Sequence, residues 1–378
     1  MSRRLRNVTD LLAELVSIPS VNPHGDPGTK LVGEEQMALY LAEFLGELGA
    51  EVELKEIRPG RPNVSGIFRT KKAPKRRFAF APHTDTVSVL GMTISPFDPV
   101  IKNGRLYGRG ATDTKGPMAA ALWALAKWAR SRDRIDSETE WTFAGLMGEE
   151  AGQEGSKAWG ATNFKADLVL VLEPTSMKVV HAHKGATWLT ISTKGRACHA
   201  SIPDEGDNAI LAMRRVLEVL EKKVTPYLRR QKHRALGHVT FNIGTIRGGS
   251  KINIVPDACE IECDIRTVPG FEGEEVVRLL RREVSKAVPG VKITPAKSAP
   301  ALEADRSNRW LKLAASTLNG LTVAPWFCDA AFVARPGRPA VAVGPGSIAQ
   351  AHTKDEFIRI ADLERGSEGF LKFIQATQ

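Results

Sequence analysis

Residues Phe78–Val89 read FAFAPHTDTVSV, and this stretch constrains the chain more than any other. A Phe/Ala-rich apolar run, suited to a buried strand, stops at Pro82, and His83 and Asp85 follow two positions apart. Strand side chains alternate, so both polar groups would leave the strand's carboxyl tip on one face. Ligands in open α/β sheets gather just beyond the carboxyl ends of strands. A histidine with a carboxylate at i+2 also suits a metal ligand and the partner that fixes its tautomer. Alone, the pair reads more readily as a capped strand end with a satisfied histidine. The rest of the chain reverses that reading.

Two further apolar strands run into acidic residues. ETEWTFAGLMG leads to Glu149 and Glu150, and DLVLVLEPT contains Glu173 at its end. Asp113 sits in the Gly-rich stretch IKNGRLYGRGATDTKG, ahead of the strong helix MAAALWALAKWA. The glycine order there is not a dinucleotide fingerprint, and no strand–helix–strand context supports one. Any one carboxylate at a strand end is an ordinary surface residue, but their recurrence predicts a cluster of ligands at one sheet edge. With the late His352 the set is mixed nitrogen and oxygen without cysteine. That suits Zn²⁺, with Co²⁺ or Mn²⁺ as substitutes, rather than a structural zinc knuckle. Two metals sharing one carboxylate, roughly 3.5–4 Å apart, can activate water and polarise a carbonyl. A carboxylate left unligated can then act as general base.

At 378 residues the chain exceeds one usual core, so two domains are expected. Val8, Leu11, Leu12, Leu15 and Val16 predict an amphipathic helix capped near Asn7 or Thr9. A Pro/Gly/Asn loop over 17–29 precedes a second helix, Leu31–Leu48, closed by Gly49. EVELKEI and NVSGIFR are expected strands. From about residue 183 the order becomes β-α-β-β-α-β, that of a ferredoxin-like unit: KGATWLTISTKGRACHA, DNAILAMRRVLEVLEKKV, HVTFNIGTIRGG, DACEIECDIRTV, EGEEVVRLLRREVSKAV and VKITPA. The α/β pattern then returns with a helix near Ser307–Leu318, the strand PAVAVG and a last helix Asp362–Ala376. The predicted division is 1–182 and 296–378 for a discontinuous catalytic-type domain, with 183–295 inserted.

Composition excludes several function classes. Apolar residues at 42% and charged residues at 25% describe an ordinary globular protein, and no run approaches membrane-span length. The basic N-terminus lacks a continuous apolar core and an A-x-A site, so no signal peptide is expected. Four cysteines (Cys198, Cys259, Cys263, Cys328) form no C-x-x-C pair, which predicts a reducing cytoplasm. Cys198 and His199 would be strand neighbours on opposite faces, which argues against a nucleophile–base dyad. The net charge of +10 rests on short stretches such as KKAPKRR (71–77) and RRQKHR (229–234). No aromatic interleaving accompanies them, so solvated loops are expected rather than a nucleic-acid partner.

APHTDTV, GRGATDTKG, MGEEAGQEGS, LEPT, CHAS and GPGSIAQAHTKDEF, in this order, resemble the dinuclear-zinc deacylases and exopeptidases. That family includes acetylornithine deacetylase, succinyl-diaminopimelate desuccinylase, aminoacylase and glutamate carboxypeptidase. The resemblance covers almost the whole chain. It implies an α/β fold: a three-layer zinc-exopeptidase-like catalytic domain with an inserted ferredoxin-like α+β lid and dimerisation domain. It also implies two zinc ions per chain, one bound by His83 and Glu173, the other by Glu150 and His352, with Asp113 bridging. Glu149 would be the base and later the proton donor, Asp85 would orient His83, and the Asp113–Thr114 peptide would be cis. Arg266, which shares a strand face with Asp264, would bind the substrate carboxylate, where a planar bidentate donor fits; Asn253 would be another substrate contact. His199 would reach a homodimer partner's active site and donate to the oxyanion. His181 and His183 fall at the hinge into the lid and take a structural role.

GPGSIAQAH and LEPTSMKVVHAHKG are most similar to acetylornithine deacetylases, while WFCDAAF departs from the Ser/Thr-Asp and Arg-containing versions common in relatives. The function implied is a cytoplasmic metal-dependent hydrolase cleaving an N-acyl amino acid, as in arginine biosynthesis. A carboxypeptidase or dipeptidase acting on short peptides is the alternative within the enzyme class. A catalytically silent binding relative is the alternative outside it, and would be expected to lack a ligand or the base.

Overall fold

The most apolar stretches of the chain are the ones that pair in parallel at its centre, because a strand covered on both faces must be apolar on both. The computed structural model describes residues 5–24, 31–134 and 137–378. Part of the loop expected over 17–29 therefore lies outside the described residues. Helix α1 (Val8–Ser17) is capped by the Asn7 side chain, which accepts from the Asp10 N–H at 2.8 Å. Helix α2 spans Glu35–Glu47 and does not begin at Leu31 as the spacing suggests. Gly33 there adopts φ +97°, and the buried Glu34 carboxylate turns to both Nε and Nη2 of Arg61 at 2.6 Å. Gly49, at φ +78°, follows the helix end as expected.

Strands β1 (Glu51–Arg58), β2 (Arg61–Phe68) and β3 (Arg76–Pro82) precede helix α3 (Lys115–Ala129). Strand β4 (Thr139–Gly145), helix α4 (Glu154–Gly160) and strands β5 (Leu168–Leu172) and β6 (Val179–His183) follow. Next come β7 (Gly185–Lys194), α5 (Ala209–Val219), β8 (Thr240–Gly248), β9 (Ala258–Thr267), α6 (Gly273–Ala287) and β10 (Lys292–Ala299). Helix α7 (Arg309–Thr317), strand β11 (Ala340–Ala342) and helix α8 (Ile360–Ala376) complete the chain. It divides into two compact units: Met1–His181, Ala304–Thr322 and Cys328–Gln378 form the first, Ala182–Glu303 and Val323–Phe327 the second.

In the first unit the sheet runs β1-β2-β4-β3-β5-β11-β6. The pairs β4–β3, β3–β5 and β5–β11 are parallel, whereas β1–β2, β2–β4 and β11–β6 are antiparallel. Alternation along β3 sends Phe78 and Phe80 to one face. There Phe78 packs on Trp310 of α7 and Phe373 of α8, with ring centroids 5.0 and 5.8 Å apart, and Phe80 meets Phe370 of α8 at 5.0 Å. Trp141 of β4 stacks on both, at 5.2 and 4.9 Å. Ala79 and Ala81, fully buried as well, alternate to the opposite face.

The second unit carries a four-stranded antiparallel sheet in the order β8-β9-β7-β10. With α5 and α6 this is the ferredoxin-like arrangement expected from the β-α-β-β-α-β order. Its separate core joins Leu189 and Ile191 of β7, Ile261 and Ile265 of β9, Met213 and Val216 of α5, and Leu279 and Leu280 of α6. Two details differ from expectation. Strand β7 stops at Lys194 rather than continuing through His199, because the chain at Gly195 presses onto Asp207; a Cβ there would lie 1.9 Å from the Asp207 carbonyl oxygen. Helix α5 continues through a π turn, Leu220–Val224, into Thr225–Arg230. Arg229 and Arg230 of the expected loop are thus helical.

The aromatic stack gives a stability prediction. Phe80→Ala removes a fully buried ring and is expected to cost about 3–5 kcal/mol, read as a lower denaturant midpoint of the first unit. Leu90→Ala, at an 87% exposed position, is expected to leave that midpoint unchanged.

Candidate metal centre

Regular pairing of β3 with β4 ends at Phe80–Phe143, but an isolated bridge joins His83 to Leu146 beyond it. The Leu146 N–H donates to the Pro82 carbonyl at 2.9 Å, and the Thr84 N–H donates to the Leu146 carbonyl at 2.8 Å. His83 is therefore delivered by strand pairing, as its sequence suggests. On the other side, Pro82 pairs with Leu172, the last residue of β5. Glu173 consequently emerges beside His83. Asp113 stands just before α3, and its peptide bond to Thr114 is cis. Thr114 Oγ1 donates to the Leu172 carbonyl at 2.7 Å, which ties this loop to the end of β5. Glu149 and Glu150 lie in a turn beyond β4 rather than on the strand.

His83 Nε2 lies 3.1 Å from Asp113 Oδ1. His352 Nε2 lies 3.4 Å from Asp113 Oδ2 and 3.2 Å from Glu150 Oε2. Two ligand-type groups result, His83–Asp113–Glu173 and Asp113–Glu150–His352, with ligand atoms of each group within 4.8 Å of one another. Asp113 belongs to both. Glu150 Oε1 is buried without a hydrogen-bond partner, which is costly for a carboxylate oxygen unless a cation meets it. The donor set and this orphaned oxygen fit two divalent ions held by imidazole and carboxylate.

The electrostatics agree with that fit. Burial, then the carboxylates of Glu173 and Asp329, push Glu149 well above the usual carboxylate range. Burial and Asp113 push Glu173 up in the same way, and burial raises Glu150. Burial would raise Asp113 too, but hydrogen bonds to His352 and His83 hold it below its ordinary value. Those to Asp113 and Glu150 push His352 up to about 10. Among the described residues the site gathers more carboxylates than cationic side chains, and its histidines lie against the acids. His352 also adopts φ +62°, a left-handed conformation that non-glycine residues seldom take.

Asp85 is almost fully buried. Its Oδ1 is 3.4 Å from His83 Nδ1, whereas the Asp85 carbonyl oxygen is only 2.9 Å from that nitrogen. The carboxylate accepts the Glu149 N–H on Oδ1 and the Glu150 N–H on Oδ2, both at 3.0 Å, and Asn22 Nδ2 at 2.8 Å. Sequence reasoning missed Asn22; an Asn before Pro23 reads as an ordinary turn residue. It missed Gln153 as well, whose side chain donates to the Glu149 carbonyl. The departing segment WFCDAAF reaches the site through Asp329, which accepts from Ser156 Oγ at 2.5 Å and is pushed by burial to about 7.

The remaining predicted site residues belong to the second unit. His199 is exposed, with Nδ1 2.7 Å from Ser201 Oγ. It forms an isolated bridge with Ile254, and the Ala200 N–H donates to the Asn253 carbonyl at 3.1 Å. His199 and Asn253 are thus brought together. Arg266, on β9, donates through Nη2 and Nε to Asp264 Oδ2 at 2.8 and 3.2 Å.

Comparison with known proteins matches this architecture. The sequence pattern of Peptidase family M20/M25/M40 extends over residues 79–376. An acetylornithine deacetylase of Erwinia tasmaniensis is 29% identical over 372 residues, covering 96% of this chain and 95% of the relative. A tripeptidase of Staphylococcus aureus superposes with a TM-score of 0.77 at 21% identity, over 98% of this chain and 97% of that one. A dinuclear metal binding peptidase of the M20 family from Bacillus subtilis gives 0.69 at 15% identity, over 97% of each. This hydrolase belongs to Peptidase family M20/M25/M40.

Proposed function

We propose that this hydrolase cleaves the amide bond of an N-acyl amino acid, in the manner of an acetylornithine deacetylase, with two zinc ions per chain. The observation that carries the proposal is the sharing of Asp113 by two ligand-type groups while Glu149, beside them, belongs to neither. His83 and Glu173 would hold one ion, Glu150 and His352 the other, with Asp113 between. When bound, such a pair polarises the scissile carbonyl and makes water acidic enough to attack at neutral pH.

Glu149 takes a proton from the attacking water as the oxygen–carbon bond forms. It returns a proton to the nitrogen as the carbon–nitrogen bond breaks, releasing a carboxylate and a free amine. Asp85 and Gln153 fix the Glu149 backbone through its N–H and carbonyl, so the base keeps its place during the transfer. Arg266 binds the substrate carboxylate, and Asn253 is another substrate contact. The 183–295 region serves as lid and dimerisation domain of a homodimer, a reading supported by the exposed edge strand β8. Four free cysteines support a reducing cytoplasm, and the deacetylase relatives support a place in amino-acid metabolism such as arginine biosynthesis. A carboxypeptidase or dipeptidase acting on short peptides is the second reading, favoured by the peptidase neighbours. A silent binding relative would lack a ligand or the base; His83, Asp113, Glu149, Glu150, Glu173 and His352 all stand in the site.

A panel of N-acetyl, N-succinyl and dipeptide substrates separates these readings. The expected outcome is the highest kcat/KM on an N-acetyl amino acid, loss of turnover on chelation, and recovery with about two zinc ions per chain. Preference for unmodified dipeptides overturns the deacylase reading, and full activity without metal overturns the whole mechanism.

Glu149→Ala is expected to lower turnover by about 10²–10⁴-fold while leaving metal content near wild type, whereas Glu150→Ala lowers metal content. Equal metal loss in both means that base and ligand are misassigned.

His199 donates a hydrogen bond to the oxyanion in the partner's site, a contribution worth roughly a hundredfold or more. His199→Ala and Glu149→Ala, each nearly inactive, are expected to regain activity when mixed, because a mixed dimer keeps one site with both a native base and a native partner histidine. No recovery despite demonstrated subunit exchange contradicts the role in trans.

A further inference from the structure

The stretch Arg109–Asp113, within the Gly-rich segment IKNGRLYGRGATDTKG, resembles an anion-binding loop, and its anion is a side chain of the same protein. Glu356 is fully buried. Its Oε1 accepts the Thr112 N–H at 2.8 Å and the Asp113 N–H at 3.0 Å. Its Oε2 accepts the Gly110 N–H at 3.0 Å and Arg109 Nη1 at 2.8 Å. Three backbone donors and one guanidinium thus converge on a single carboxylate. Successive N–H groups that line a concavity in this way form an anion nest. Gly110, at φ +84°, permits the turn, and a Cβ there would lie 2.9 Å from Lys115 Cδ.

Glu356 stands four residues after His352 in sequence, and the segment between them is fastened independently. Arg109 Nη1 also donates to the Thr353 carbonyl at 3.3 Å, and the Gly108 N–H to the Glu356 carbonyl at 3.0 Å. Thr112 Oγ1 donates to the Phe357 carbonyl at 2.9 Å. Residues 105–107 and 357–359 pair as antiparallel strands. One side of this brace ends in the Asp113 carboxylate and the other in the His352 imidazole, 3.4 Å apart.

We infer that Glu356 is a positioning residue for the metal centre, a buried carboxylate that clamps the Asp113 loop to the His352 loop and sets the spacing of two ligands before any metal arrives. This rests on reading Asp113 and His352 as ligands. The clamp works through the backbone of Asp113, so the Asp113 carboxylate remains available to two cations. Burying a second acid so close to the site is tolerable because Arg109 and three N–H groups neutralise it.

Metal-free protein titrated with Co²⁺ and followed by visible absorption tests the inference. Glu356→Gln keeps the side-chain length but turns an amide N–H₂ toward backbone donors. It is expected to weaken Co²⁺ uptake by about tenfold or more, as loss of outer-shell partners does, and to alter the absorption envelope. Glu356→Asp is expected to fall between this variant and wild type. A merely structural glutamate would lower the thermal midpoint and leave uptake and spectrum unchanged; that result overturns the inference. Asp113→Asn serves as control. If it binds both ions like wild type, the ligand reading and the clamp fall together; if it loses metal while Glu356→Gln does not, the clamp alone falls. Should Glu356→Gln fail to fold, hydrogen exchange on the wild-type protein decides. The amides of Gly110, Thr112 and Asp113 are expected to be equally protected with and without metal, and protection that appears only with metal overturns the inference.

Discussion

Carboxylates gathered in one pocket repel each other, and the parallel ladder of the first unit is what holds them together. Pro82 of β3 pairs with Leu172 of β5, and the next residues are His83 and Glu173. A slip of one residue would turn either to the opposite face of the sheet. The register is pinned by the aromatic stack of Phe78, Phe80 and Trp141 against α8, on the same strand that carries the histidine. Core and site are therefore successive parts of one element, and the packing that stabilises β3 also fixes where its tip points.

Elements whose pattern reports their own burial were legible in the sequence. The strands β3 and β5, the long helix α3 and the split βαβ order of the second unit all follow from local periodicity. What was not legible depends on partners distant in sequence. Leu31–Glu34 has helical spacing, but Glu34 is committed to Arg61 and Gly33 to a left-handed turn, so α2 starts later. His199 reads as strand, yet Asp207 blocks the path beyond Lys194. Arg229 and Arg230 read as part of a solvated loop, but α5 continues through the π turn Leu220–Val224 and the helical segment runs through to Arg230.

The acids around the site show the same limit more sharply. Sequence can propose that carboxylates at strand ends gather, but it does not separate those that face a cation from those that hold backbone. Asp85 reads as the partner of His83 because residues two apart share a strand face, and that rule applies only while the strand lasts. β3 ends at Pro82, and the Asp85 carboxylate, 3.4 Å from His83 Nδ1, accepts the Glu149 and Glu150 amides as well. Glu356 was hidden for a different reason. Lys354 and Asp355 are exposed as a solvated charge run should be, and only the next residue turns inward.

The two kinds of acid have opposite electrostatic logic. Asp85 and Glu356 are met by donors already present in the protein, so they order the loops whether or not a cation is bound. Among the described residues, Asp113, Glu150 and Glu173 gather with two histidines, His83 and His352, and the nearby Glu149 and Asp329 add to the repulsion. A pocket of that sign would expel an N-acyl amino acid, whose carboxylate is negative, whatever the chain's overall charge of +10. Two divalent ions would outweigh Asp113, Glu150 and Glu173 by one charge and offset most of the pocket's negative charge. On that reading the metals do more than activate water. They would remove most of the repulsion that the pocket offers a negatively charged substrate, so substrate binding and metal occupancy would be linked before any bond is broken.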